Sequence, residues 1–264
     1  MFKTKNGTCM LDAHRGVSTE YPENTIPAFK AAVEQGYEVI ELDPGVTKDG
    51  VIVFIHDSTI NATARNKDGS KIGKRTYVDS LTYEQLCELD FGIYFDEKFK
   101  GTKVPELSEV LDFAAENNIV LKVDSKLENF RMEALTTFVE TVKNHKAKKL
   151  VEFTVATLPF LDFIVKHFPD NNIHYDMYID EWHLKEVRKR LKNNNLTVWL
   201  RMANDESKWC IYPPANRKLY RLAKKYADRI GIWILTEDRE AELAIKKYKP
   251  DIIETTGSIK PNTL

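Results

Sequence analysis

Cysteine is close to absent: Cys9, Cys87 and Cys210 are the only three in 264 residues, far apart and without a C-x-x-C pair. That usage excludes a disulfide framework and fits a reducing compartment. Net charge is missing too, because 39 Lys and Arg face 40 Asp and Glu for a formal charge of -1. Without a net basic field to hold a polyanion through counterion release, no nucleic-acid partner is expected. The longest apolar runs, such as 51–55, fall far short of the ~20 residues a membrane-spanning helix needs. Residues 1–10 are polar and lysine-bearing and show no secretory signal, so a cytoplasmic location is expected. No Ser/Gly/Pro-rich linker divides the chain and no coiled-coil pattern stands out, which leaves residues 1–264 as a single domain.

What is present is a rhythm. Apolar, β-rich runs fall at 8–13, 39–43, 119–124, 150–155, 173–178, 197–200, 230–235 and 251–254. Amphipathic stretches lie between them at 26–35, 107–117, 130–144, 159–168, 181–193, 214–227 and 237–248. Asn24 or Thr25 can cap the first helix, Pro27 is tolerated in its first turn and Gly36 closes it. Eight strand–helix repeats predict an α/β fold, a parallel (β/α)8 TIM barrel, with a doubly wound open sheet as the competing topology. The rhythm breaks once, across residues 44–118, where one helix and two loops would suffice. Lys48-Asp49-Gly50 reads as a hairpin turn before 51–55, and residues 57–105 as a small inserted subdomain between the second strand and the second helix. In a barrel such an insertion sits over the C-terminal mouth, where active sites are built.

Strand ends carry the chemistry. His14, followed by Arg15, closes the first strand. Glu41 and Asp43 close the second, and alternation puts both on one face about 7 Å apart along the backbone, with Leu42 on the other. Two inward carboxylates repel and lose hydration, a conflict that protonation or a bound cation resolves. An isolated Glu-x-Asp can equally pair with surface lysines. His56-Asp57 ends the run 51–55, and Lys122, Asp124 and Lys126 share a face at the end of the third strand. Asp124 thus adds a third carboxylate and Lys126 a cation able to meet an anion. Carboxylate oxygens with room for water suit Mg²⁺ or Ca²⁺, and the lack of a Cys/His cluster argues against structural zinc. His145 and His167 read as surface residues, and His174 and His183 show no evident partner. Trp209 and Tyr212-Pro213-Pro214 form an aromatic loop that lines the mouth or merely packs.

The order of these pieces resembles the glycerophosphodiester phosphodiesterase family. The matching segments are His-Arg-Gly at 14–16, Pro-Glu-Asn-Thr at 22–25, Glu-Leu-Asp at 41–43, Thr-Lys-Asp-Gly at 47–50 and His-Asp at 56–57. Leu-Asp-Phe-Gly at 89–92 and the run 104–111 continue the likeness, and Trp233 stands near a position where the family often carries tryptophan.

The resemblance implies a metal-dependent hydrolase of lipid metabolism that splits small glycerophosphodiesters into glycerol 3-phosphate and an alcohol. It implies one divalent cation, Mg²⁺ or Ca²⁺, on Glu41, Asp43 and Asp124. By position His14 resembles the base and His56 the acid, with Arg15 and Lys126 the phosphate-holding cations. A phospholipase-D-like or phosphoinositide-cleaving relative is the alternative enzyme, and a non-catalytic phosphodiester-binding module the alternative class. The sequence departs from the family where Asp124 replaces the usual glutamate, where Asn61 to Arg65 replaces an Arg-Thr stretch, and where Glu254-Thr255-Thr256-Gly257 replaces a Thr-Asp ending.

Overall fold

The computed structural model describes residues 2–4, 7–202 and 213–260. Trp209, Cys210 and Tyr212, and with them most of the expected aromatic loop, lie outside the described residues. In chain order the strands are β1 (Phe2–Thr4), β2 (Gly7–His14), β3 (Val39–Leu42), β4 (Pro44–Val46), β5 (Ile52–Phe54) and β6 (Val120–Val123). They continue as β7 (Val151–Val155), β8 (Ile173–Tyr175), β9 (Leu196–Arg201), β10 (Arg229–Leu235) and β11 (Ile252–Thr255). The α-helices are α1 (Ile26–Gln35), α2 (Tyr83–Cys87), α3 (Leu107–Asn117), α4 (Met132–Asn144), α5 (Leu158–His167), α6 (Glu181–Arg190), α7 (Arg217–Tyr226) and α8 (Asp238–Tyr248).

Eight parallel strands run in the order β2-β11-β10-β9-β8-β7-β6-β3, and β3 pairs back onto β2, which closes the barrel and excludes the open sheet. β1 adds an antiparallel hairpin to β2. Outward residues of the strands, among them Leu11, Ala13, Ile40, Leu42, Leu121 and Val123, merge with Phe29, Phe113 and Phe138 of the helices into one core. Inward residues stack in layers. Val39 and Ile252 gather with Trp199, and Met10 and Val120 pack against them. Above lie the buried polar groups Asp12, Lys122, His174 and Glu254. Gly231 is registered opposite Trp199, and a Cβ there would lie 2.4 Å from the indole, so a strand glycine makes room for the ring.

Local chemistry sets the element ends. Thr25 caps α1 by accepting from the Ala28 N–H, and Gly36 ends it at φ +85. α7 begins after Asn216, whose side chain accepts from the N–H groups of Lys218 and Leu219, which is later than the expected 214. The turn at 48–49 joins β4 to β5 as the sequence suggested. Beyond it the chain packs around a second cluster of Val53, Ile55, Ile60, Ala64, Val78, Leu86, Phe91 and Val104. Asp90 ties this segment together, accepting from the N–H groups of Gly92, Ile93 and Gly101 at 2.8, 2.9 and 2.5 Å. Gly92 has no alternative there, because a Cβ would sit 2.0 Å from the Phe99 carbonyl oxygen. The insertion reaches the barrel mouth through Tyr94, whose hydroxyl accepts from the Glu23 N–H at 3.2 Å, and through Phe99 against Tyr21.

Candidate active site

His14 ends β2 pointing inward, and the chain then turns sharply through two left-handed residues, Arg15 (φ +58) and Gly16 (φ +80). Only glycine fits at 16, since a Cβ would lie 2.8 Å from that of Ala28. The turn aims the Arg15 N–H at Glu41, 3.1 Å from Oε2, and lays the guanidinium between Asp43 and Glu23 at 3.2 Å from each. Asn24, also left-handed at φ +54, clamps Asp43 twice. Its Nδ2 donates to Asp43 Oδ2 at 2.8 Å and its Oδ1 accepts from the Asp43 N–H at 3.1 Å. Pro-Glu-Asn-Thr therefore does two jobs: Asn24 fixes a carboxylate and Thr25 starts the helix.

From the far side, Asp124 accepts from the Lys126 N–H at 2.9 Å, which curls the chain after β6. Lys126 Nζ then reaches Asp43 Oδ1 at 2.7 Å and the His56 carbonyl at 2.8 Å. The His56 ring stands partly exposed, its Nδ1 2.8 Å from Asp57 Oδ1. Glu41, Asp43 and Asp124 each offer an oxygen within 4.8 Å of the others, a hard-donor set able to hold a metal. All seven residues singled out from the sequence, His14, Arg15, Glu41, Asp43, His56, Asp124 and Lys126, line one cavity of about 170 Å³.

Electrostatics separates the carboxylates. Burial alone would raise Asp43, but Lys126 and then Arg15 outweigh it and hold the group below the usual carboxylate range. Glu41 is pushed well above that range by burial and by Asp43, and Asp124 is raised by the same two causes. Asp176, just past β8, is pushed up to about 7 by burial and the charge of Asp124. Burial, with Arg15 adding and Glu254 opposing, brings His14 down to about 4, so its ring is neutral at pH 7.

Beneath the mouth lies a layer the sequence did not reveal. Lys122 Nζ meets Asp12 at 2.9 Å, bonds Glu254 and sits 4.0 Å above the Trp199 ring. His174 is not without partners. Its Nε2 is 2.6 Å from Glu152, and its Nδ1 accepts from Trp199 Nε1 at 2.9 Å. Because an indole nitrogen only donates, Nδ1 carries no proton, and His174 is the neutral tautomer with hydrogen on Nε2. Its lowered value, about 4, has burial as its main cause. His183 likewise pairs with Asp180 at 2.6 Å, the residue that caps α6. The available sequence signal was a lone acid, Asp12, inside an otherwise apolar strand.

Fold and site together define a (β/α)8 barrel with an acidic, cation-ready centre at its C-terminal mouth. The chain belongs to the glycerophosphoryl diester phosphodiesterase family, whose model matches residues 14–238. A glycerophosphodiester phosphodiesterase of Caldanaerobacter subterraneus is 43% identical over 117 residues, 44% of this chain and 45% of that protein. One from Bacillus altitudinis is 31% identical over 188 residues, 61% of this chain and 73% of the other. For the first curated relatives the match spans about half of their length or less. An Oleispira antarctica phosphodiesterase solved with the product sn-glycerol-3-phosphate superposes with a TM-score of 0.72 at 18% identity, covering 95% of this chain and 94% of that one. A Galdieria sulphuraria structure, described as a putative glycerophosphodiester phosphodiesterase, superposes with a TM-score of 0.74 at 18% identity, covering 97% and 96%. These two likenesses concern the fold.

Proposed function

We propose that the protein hydrolyses small glycerophosphodiesters to glycerol 3-phosphate and an alcohol, acting as one barrel domain, residues 1–264, with the 57–105 insertion over its mouth. The observation that carries this is convergence: four separate chain segments bring three carboxylates, two cations and two imidazoles to one cavity. Glu41, Asp43 and Asp124 would hold one divalent cation, Mg²⁺ or Ca²⁺. When bound, that cation supplies positive charge to the non-bridging phosphate oxygens.

Arg15 and Lys126 flank Asp43 with N–H groups to spare, and they bind and orient the phosphate. His14 is half-buried and 3.9 Å from Glu41, so its neutral ring accepts the proton of the attacking oxygen, that of water or of the glycerol's own neighbouring hydroxyl. His56 stands at the rim with its Nδ1 held by Asp57, and it returns a proton to the leaving alkoxide. Purified protein with Mg²⁺ or Ca²⁺ releases glycerol 3-phosphate from glycerophosphocholine, EDTA stops it, and His14→Ala or His56→Ala lowers kcat by about 10²- to 10⁴-fold. Full activity in either variant overturns the roles assigned to them. Metal-dependent diester binding with no turnover of any diester favours the binding module.

A further inference from the structure

The balanced charge of the whole chain hides a segregated one. Helices α6 and α7, packed side by side on the outside of the barrel, carry nine Lys and Arg against two Glu. That is +7 in a chain of net -1, so all other residues together carry -8. Both of those glutamates belong to α6 and are already paired with cations of the same two helices.

Helix α7 has no acid at all. A turn of about 100° per residue places its five cations, Arg217, Lys218, Arg221, Lys224 and Lys225, within about 120° of arc, and all five are exposed. Its other five residues pack on the core. The arrangement costs stability twice. Arg221 has a like charge three or four positions away on both sides, at 217, 218, 224 and 225. Arg217 and Lys218 also occupy the first turn, where the helix dipole is positive. Lys225 meets Glu181 at 3.0 Å and Lys224 lies 3.9 Å from Asp251, but Arg217, Lys218 and Arg221 have no ion pair among the described residues. A cationic arc that repels itself and opposes its own dipole is stabilised by anions from outside.

Aromatic side chains border the arc. Glu181, which accepts from Lys225 Nζ and from the Tyr226 hydroxyl at 3.0 Å each, is followed by Trp182, 60% exposed. The Trp182 ring stands edge-on to His183 with 4.7 Å between centroids, and His183 in turn lies against Tyr178, 51% exposed. An indole and a phenol left in water beside lysines match the head-group layer of a bilayer, which takes up ring and polar atom together while its phosphates meet the cations.

We propose that the α6–α7 face docks on an anionic lipid surface, with Arg217, Lys218 and Arg221 on lipid phosphates and Trp182 and Tyr178 in the head-group layer. The docking stands apart from the hydrolase reading. Where both hold they connect: a glycerophosphodiester is what remains of a glycerophospholipid that has lost both acyl chains. A lipid-deacylating reaction then supplies the substrate, and this face holds the enzyme beside it.

The test is co-sedimentation of the full chain, in EDTA, with vesicles of phosphatidylcholine alone or with about 30% phosphatidylglycerol. The wild type partitions onto the anionic vesicles roughly 100-fold more strongly, and about 0.5 M salt releases it. Arg221→Gln weakens that partitioning about 5-fold, and Arg221→Gln with Lys218→Gln about 25-fold. The Tm of Arg221→Gln holds or rises meanwhile, because its like-charge contacts are gone. Trp182→Ala weakens partitioning with the charge unchanged. Turnover of glycerophosphocholine in free solution is the same in these variants as in the wild type, whatever its rate, so loss of docking and failure of the hydrolase reading are seen separately. Equal partitioning onto both vesicles, or unchanged partitioning in the double variant, overturns the proposal, as does capture of RNA with binding to neither vesicle.

Discussion

Asp12 and His14, Lys122 and Asp124, and His174 and Asp176 lie two positions apart along their chain segments, and the two inward layers they define handle charge in opposite ways. In the lower layer the fold answers its own charges. Burial alone would lower the ammonium of Lys122, but Asp12 and Glu254 hold it above its ordinary value. Of those two acids, burial pushes Asp12 up to about 7 while Lys122 holds Glu254 down, so one ammonium, one carboxylate and one shared proton balance. Glu152 falls to about 2 against the pull of burial, through its bond from His174 and the charge of Arg229, 3.1 Å away. In the upper layer Asp43 is answered by cations from the chain, whereas Glu41, Asp124 and Asp176 are all raised. An excess of acid that the fold leaves uncompensated at one end of a barrel, beside a compensated layer, is the physical mark of a place for an external cation.

The largest expected effect breaks the lower layer. Lys122→Met leaves two buried acids without their cation and costs about 3–5 kcal/mol of stability by urea denaturation. Replacing the group together, Asp12→Leu with Lys122→Met and Glu254→Leu, recovers most of that loss. A single variant as stable as wild type contradicts the compensation. In the upper layer the sign reverses. Glu41→Gln raises the Tm measured in EDTA, by a stabilisation of order 1 kcal/mol, and abolishes the Tm increase that Mg²⁺ or Ca²⁺ gives the wild type. A destabilised Glu41→Gln protein in EDTA would place Glu41 with the compensated groups.

How much of this the sequence carried depends on distance along the chain. Glu41 and Asp43 announce themselves because both lie on one strand end, and the clamp from Asn24 spans only 19 residues. Lys122 and Glu254 are 132 residues apart and meet only when the barrel closes, so nothing local marks them as partners. Trp199 and Gly231 form a complementary pair for the same reason, although a lone strand glycine does hint at a close approach. Within the insertion, helix α2 went unread although Thr82 and Gln85 form a capping box, a signal present in the sequence. The barrel itself was legible because alternating strands and helices have few ways to bury both faces of a parallel sheet.

Acid sharpens the contrast further. His174 has a folded value of about 4, below its ordinary 6.5, so the stability it contributes is present above pH 6.5 and lost as pH falls through about 4. The loss amounts to about 3 kcal/mol, and His174→Gln lacks it. Asp176 works the other way: raised from 3.8 to about 7, its contribution is present below pH 3.8 and lost as pH rises through about 7. Asp176→Asn removes that opposing slope. Urea midpoints measured in EDTA at pH 7.5, 5.5 and 4 separate the two, and parallel profiles for both variants would dissolve the distinction between layers.

Glycerol 3-phosphate release from glycerophosphocholine by metal-stripped protein, followed as Mg²⁺ or Ca²⁺ is titrated back, tests the acidic centre most directly. Turnover that rises to saturation with one ion per chain, and that Glu41→Gln and Asp124→Asn each eliminate, is the predicted result. Release that continues undiminished in excess EDTA would contradict it.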